Sequence, residues 1–122
     1  MHNIDNNFEI VQMFEHKLAN YLSFNECICT ASCTDALMIS LAAKHILKQI
    51  DKESSCLSVP KHTYLSVPMM LARNGWKFKF VDNNWSGVYS LGGSVVDAAT
   101  DFREGLGYAW SDIEDCAVCI SF

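Results

Sequence analysis

With 122 residues, half of them hydrophobic and 19% charged, the chain has length for one domain with its own core and is short for a complete α/β enzyme. Its net charge of −5 and scattered basic residues argue against nucleic acid or an anionic membrane as the main partner. No apolar run approaches the roughly 18 to 20 residues of a spanning helix, and the polar start from Met1 to Asn7 is not a signal peptide. A cytoplasmic protein with six reduced cysteines is therefore expected.

Taken in order, Phe8, Val11, Phe14, Leu18, Tyr21 and Leu22 recur at three- and four-residue intervals and predict an amphipathic helix from Phe8 to Leu22. A short strand is expected at Cys27-Ile28-Cys29, then a largely apolar helix from about Thr34 to Ile50. Cys56 to Pro60 reads as a second strand closed by its proline. A third helix should begin near Ser66, because Pro68 is tolerated only in a first turn, and Asn74-Gly75 should end it. Trp76 to Val81 alternates as a strand, Asn83 to Gly93 reads as loop, and Ser94 to Asp97 as a further strand. A helix is expected over Ala98 to Glu104, a loop over Gly105 to Ile113, and a last strand from Cys116. Strands and helices alternating over such short connections predict right-handed βαβ crossovers and a mostly parallel sheet. The expected fold class is α/β, a three-layer arrangement with helices flanking that sheet.

Ligands in such sheets collect at the carboxyl ends of the strands. There the Ser32-Cys33-Thr34 loop, the His62-Thr63-Tyr64 loop and Asp82 are expected to face one crevice. The run from Glu26 to Leu41 has the anatomy of an anion site, since the first N–H groups of a helix lack internal partners and carry the positive end of its dipole. Thr34 is expected as N-cap and Asp35 suits the first turn. The same small polar residues also open strand-to-helix turns that hold nothing. Asp97, flanked by Val96 and alanines, is the acid most suited to partial burial, where a carboxylate needs a partner, though it would serve equally as a helix cap. Cys27-x-Cys29 with Cys116-x-x-Cys119 offers a four-thiol zinc set. Placement of both pairs within strands disfavours it, because Cys116 and Cys119 would then point to opposite faces.

Several of these blocks, in order and spacing, resemble the DegT/DnrJ/StrS aminotransferases, fold-type I enzymes that use pyridoxal 5′-phosphate (PLP), mostly to aminate keto-sugars. The likeness runs through Phe14-Glu15-x-x-Leu18-Ala19-x-Tyr21, Ala31-Ser32-Cys33-Thr34-Asp35-Ala36-Leu37 and Val59-Pro60-x-x-Thr63-Tyr64-x-Ser66. It continues through Asn74-Gly75, Phe80-Val81-Asp82, Asp97-Ala98-Ala99 and Ser121-Phe122. The resemblance implies part of the large domain of such a transferase, an amino-acid donor, a keto-sugar acceptor that is nucleotide-linked, and a homodimer. It implies that the backbone around Cys33 and the hydroxyls of Thr34 and Ser121 hold the cofactor phosphate. Tyr64 would stack on the pyridine ring, Asp97 would pair with its nitrogen, and Thr100 would stand where the family has Gln or His beside the ring. Keeping that nitrogen protonated makes the ring an electron sink.

Three features depart from the family pattern. Cys33 stands in place of a glycine, and the interval from Asp82 to Asp97 is much shorter than usual. The Schiff-base lysine, five residues after Ser121, would fall at position 126, beyond Phe122. Residues 1–122 are therefore expected to be a single incomplete domain, inactive in transamination as written. The alternative is a non-catalytic PLP-fold protein that binds a ligand or a partner subunit through the same crevice.

Overall fold

A computed structural model of the chain describes residues 7–82 and 87–122. Helix α1 spans Asn7–Leu22 and α2 spans Cys33–Ile46. Strand β1 (Cys56–Pro60), helix α3 (Ser66–Arg73) and strand β2 (Lys77–Val81) follow. Strands β3 (Tyr89–Leu91), β4 (Val95–Asp97) and β5 (Ala117–Cys119) come last, with a 3₁₀ turn at Leu106–Trp110 between β4 and β5.

The local signals account for most of these boundaries. Ser32 is extended (φ −158°) and its Oγ accepts from the Asp35 N–H at 3.1 Å, so Ser32 is the N-cap of α2, two residues earlier than the expected Thr34. The helix stops at Ile46 rather than Ile50 because Lys48 takes a left-handed conformation, φ 59°. Pro68 lies in the first turn of α3, where its missing N–H costs nothing. At the other end Asn74 Nδ2 donates to the Met70 carbonyl at 2.8 Å and Gly75 turns the chain at φ 76°.

The strands form two small sheets. β1 and β2 pair in parallel, from Cys56 opposite Lys77 to Pro60 opposite Val81. The second sheet has the order β3-β4-β5, antiparallel between β3 and β4 and parallel between β4 and β5. A single, mostly parallel sheet was expected, and two particulars differ. The loop expected over 83–93 contains β3, because Gly92 (φ 64°) and Gly93 (φ 85°) fold Leu91 directly back onto Val95; so short a connection permits only an antiparallel partner. Residues 83–86 of that expected loop lie outside the described residues. The expected strand at Cys27–Cys29 is not formed: the Cys29 N–H is satisfied by Glu15 Oε1 at 3.4 Å instead of by a neighbouring strand. The helix expected over Ala98 to Glu104 is likewise replaced by turns, since Asp97 Oδ1 accepts from the Ala99 N–H and pins the chain locally.

The two-residue alternation of β4 divides the core. Val95 and its neighbours Tyr89, Leu91 and Cys119 pack with Leu37 and Leu41 of α2, Val67 and Leu71 of α3, and Leu57 and Val59 of β1. Val96 turns to the opposite face and packs with Leu18 and Leu22 of α1, Ala98 and Leu106. Among the described residues no helix is long and apolar enough to cross a membrane.

One contact joins α1 to the 3₁₀ turn with no room to spare. A Cβ added at Gly107 would stand 2.2 Å from the Ser23 carbonyl oxygen and 2.9 Å from that of Leu22. These obstacles are backbone and cannot rotate away. Gly107→Ala is expected to destabilise the fold by about 1–3 kcal/mol, read as a lower denaturant midpoint with an unchanged slope; an unaltered midpoint would show that α1 and the turn do not make this contact.

Candidate active site

Four separated segments meet in one cavity of about 280 Å³. Its walls are the start of α2 (Ser32, Cys33, Thr34, Leu37), the loop and first turn of α3 (Tyr64, Ser66, Val67), the end of β4 with the residues after it (Asp97, Ala99, Thr100), and Ser121 beyond β5. All six residues named from the sequence, Cys33, Thr34, Tyr64, Asp97, Thr100 and Ser121, therefore line the same space. Of the three loops expected to share one crevice, the first contributes Ser32 to Thr34 and the second Tyr64 alone. Asp82 instead forms an exposed ion pair with Lys61 at 3.6 Å, and Thr63 turns to Tyr89.

Each wall has its own chemistry. The N-terminus of α2 opens on the cavity, with Ser32 engaged as cap. Ser32→Ala should cost about 1 kcal/mol of stability, measured by thermal melting, and no change in the melt would mean that the cap bond is not formed. The Thr34 hydroxyl donates to Ser66 Oγ at 3.0 Å and so links the first turns of α2 and α3. Cys33 is half-buried and packs against the core that α2 shares with the sheets, and it lies at the first helical position, among residues with no positive φ. Glycine is not needed there for backbone freedom. Burial first, then the nearby Asp97 and Cys119, push its thiol up to about 12, so it carries no charge at neutral pH. Cys119, buried behind it, is pushed up to about 11, again mainly by burial.

Asp97 is the one buried acid among the described residues, only 6% exposed, at the carboxyl end of the central strand of its sheet. Its Oδ1 accepts from the Ala99 N–H at 3.1 Å, and Tyr89, buried too, stands directly opposite it in the β3–β4 register. A carboxylate has about four acceptor positions, so acceptor capacity remains toward the cavity. Tyr64 is 67% exposed and presents its ring at the cavity's open side. The Thr100 hydroxyl donates to the Gly87 carbonyl at 3.0 Å, which closes the wall behind it. Among the described residues no cluster of three or more His, Cys, Asp or Glu could hold a metal ion. A larger groove of about 630 Å³ runs between 26–33 and 116–122, with thiols and aliphatic groups on its walls and no buried charge.

Two residues escaped the sequence reading: Ser66, on the wall and bonded to Thr34, and Tyr89, buried opposite Asp97 on β3. The alternation Tyr89-Ser90-Leu91 before Gly92-Gly93 is the hairpin signal that could have pointed to Tyr89.

Residues 2–89 match the sequence model of the DegT/DnrJ/EryC1/StrS aminotransferase family. The chain belongs to this family. No curated protein and no solved structure matches it. The DegT/DnrJ/EryC1/StrS match spans the wall residues Cys33, Thr34 and Tyr64 and ends at Tyr89, before Asp97, Thr100 and Ser121. Members of the family are generally PLP-dependent, which makes the fit of these walls to that cofactor the question for the site. The fit is favourable. A helix N-terminus with hydroxyl-bearing residues on the same cavity suits a phosphate, and the uncharged Cys33 thiol does not repel one. A buried carboxyl with spare acceptor capacity suits a protonated ring nitrogen.

Proposed function

We propose that this chain is the cofactor-holding part of a PLP-dependent aminotransferase that moves an amino group from an amino-acid donor to a keto-sugar, and that it works as a homodimer. The observation that carries the reading is the convergence of Thr34, Tyr64, Asp97 and Ser121, from four distant segments, on one cavity beside the start of α2.

In this reading the first N–H groups of α2 receive the cofactor phosphate, with Thr34 and Ser121 as hydroxyl contacts and Cys33 contributing its backbone only. The Thr34–Ser66 bond keeps the Thr34 side chain from turning outward. Tyr64 forms a flat platform for the pyridine ring, and Thr100 bounds the ring's edge. Asp97, shielded from water, holds a proton at the pyridine nitrogen through a charge-assisted hydrogen bond. Bound PLP supplies the electron sink that amino-group transfer requires. The sugar class follows from the family's usual acceptors, and a keto-sugar must reach the cavity through its open side at Tyr64.

The deciding experiment is a titration of the 122-residue chain with PLP, followed by the absorbance change of the bound cofactor. Saturable binding at one site per chain, competed by inorganic phosphate, is expected. Binding that does not saturate, or that phosphate leaves unaffected, would defeat the proposal.

A further inference from the structure

Ser121 lies on the cavity wall at a point where the backbone ladder has already ended. The last backbone bond of the β4–β5 run goes from the Ala98 N–H to the Cys119 carbonyl, at 2.8 Å. Among the described residues no hydrogen bond engages Ile120, Ser121 or Phe122. Side-chain packing holds this stretch instead. Ile120 joins the cluster around Leu18 and Leu22 of α1, and the Phe122 ring meets Phe14 of the same helix with centroids 5.7 Å apart. Ser121, between two residues that turn to α1, is left on the cavity, as alternate positions of an extended run are. Phe122 is also part of a longer series of rings. It lies 5.3 Å from Phe102, which in turn stacks on Tyr21 at 5.6 Å with the planes 22° apart. Both contacts of Phe122 are edge-to-face, at 63° and 65°, an arrangement that the ring quadrupoles favour. Phe14 and Tyr21 are two turns apart on one face of α1, so a single helix supports both ends of the series.

We propose that Phe122 is a positioning residue of this site: clasped between Phe14 and Phe102, it keeps Ser121 on the cavity wall, ready to meet the cofactor phosphate. The inference rests on the reading of Ser121 as a phosphate contact and adds rings that line no part of that cavity. Fixing a free residue costs backbone and side-chain entropy, and a contact that must first be ordered loses that much affinity. With the clasp in place, the ordering is completed when the chain folds and binding is spared it. α1 thereby takes part in the site although none of its residues reaches the cavity. Phe122 is 79% exposed and Phe14 44%, so truncating either ring leaves both cores filled.

The test is a double-mutant cycle on the full 122-residue chain, with Phe122→Ala, Ser121→Ala and the double variant titrated with PLP. Ser121→Ala is expected to weaken binding about fivefold, the worth of roughly one hydrogen bond. Phe122→Ala should approach that loss without exceeding it, and the double variant should bind about as tightly as Ser121→Ala. Losses that multiply in the double variant, or no loss for Phe122→Ala, would overturn the proposal, and unchanged binding by Ser121→Ala would remove the contact on which it stands. Phe122→Tyr keeps the ring and should bind as the wild type does; a loss equal to that of Phe122→Ala would count against the clasp. Phe14→Ala, on α1 and away from the cavity, should weaken binding about twofold. It is the working variant if circular dichroism shows Phe122→Ala unfolded, and unaltered binding by it would then end the proposal. A second readout needs no cofactor. In amide relaxation measured by NMR on the free protein, Ser121 should be as ordered as β5 in the wild type and mobile on the nanosecond scale in Phe122→Ala. Identical Ser121 relaxation in the two proteins would show that the rings do not hold it. Failure of the wild type to bind PLP would overturn the proposed function, while the relaxation would still decide whether the clasp exists.

Discussion

Leu41→Ala should unfold this chain more readily than any other single truncation on α2, by about 2–5 kcal/mol. Leu41 is fully buried (0% exposed) where α2 meets both sheets, among Leu57, Val59, Leu71 and Val95. Removing its branched end forfeits the transfer free energy of the lost methyl groups and leaves a cavity that three surrounding elements cannot all close upon. For a domain of this size the expected drop in melting temperature is about 10 °C or more. Ile39 is the internal control, since it lies on the same helix but is 53% exposed; Ile39→Ala should change stability by no more than about 0.5 kcal/mol. Equal losses for the two variants would mean that α2 does not lie on the sheets by its Leu37–Leu41 face.

Asp97→Asn should weaken PLP binding by roughly ten- to a hundredfold, the worth of a charge-assisted hydrogen bond of about 1.5–3 kcal/mol. The substitution keeps shape and keeps an oxygen to accept from the Ala99 N–H, so the local turn is retained. What is lost is the charge that favours a proton on the pyridine nitrogen. The loss should concern affinity far more than folding, and a melting curve run beside the titration separates the two. An Asp97→Asn protein that binds PLP as tightly as the wild type would remove Asp97 from the site.

Elements built from local signals were legible in advance. α1, α2, α3, β1, β2 and β4 begin or end within a few residues of where periodicity, capping residues, Pro68 and Asn74-Gly75 put them. Membership in the aminotransferase family was equally legible, because it rests on blocks of residues in fixed order. The misread stretches share one property. The Cys27 segment has strand composition but finds no strand beside it, and Glu15 of α1 takes its backbone N–H. The stretch after Asp97 has helix composition but is held in a turn by Asp97 itself. β3 hides in a glycine-rich loop because three residues make a strand only once a partner is aligned with them.

The same division holds at the candidate site. Thr34, Tyr64, Asp97 and Ser121 could be named from the order of motifs alone, as could a helix N-terminus suited to an anion. That the Cys33 side chain is taken into the core, that Ser32 rather than Thr34 caps α2, and that Tyr89 stands opposite Asp97 on β3 could not. The sequence by itself determined the helices, most strands and the family, since these depend on residues close together in the chain. Only the tertiary structure decided the pairing of the strands, the burial of Cys33 and Asp97 and the Thr63–Tyr89 bond, because each is a competition among distant segments for the same neighbours, and packing settles it.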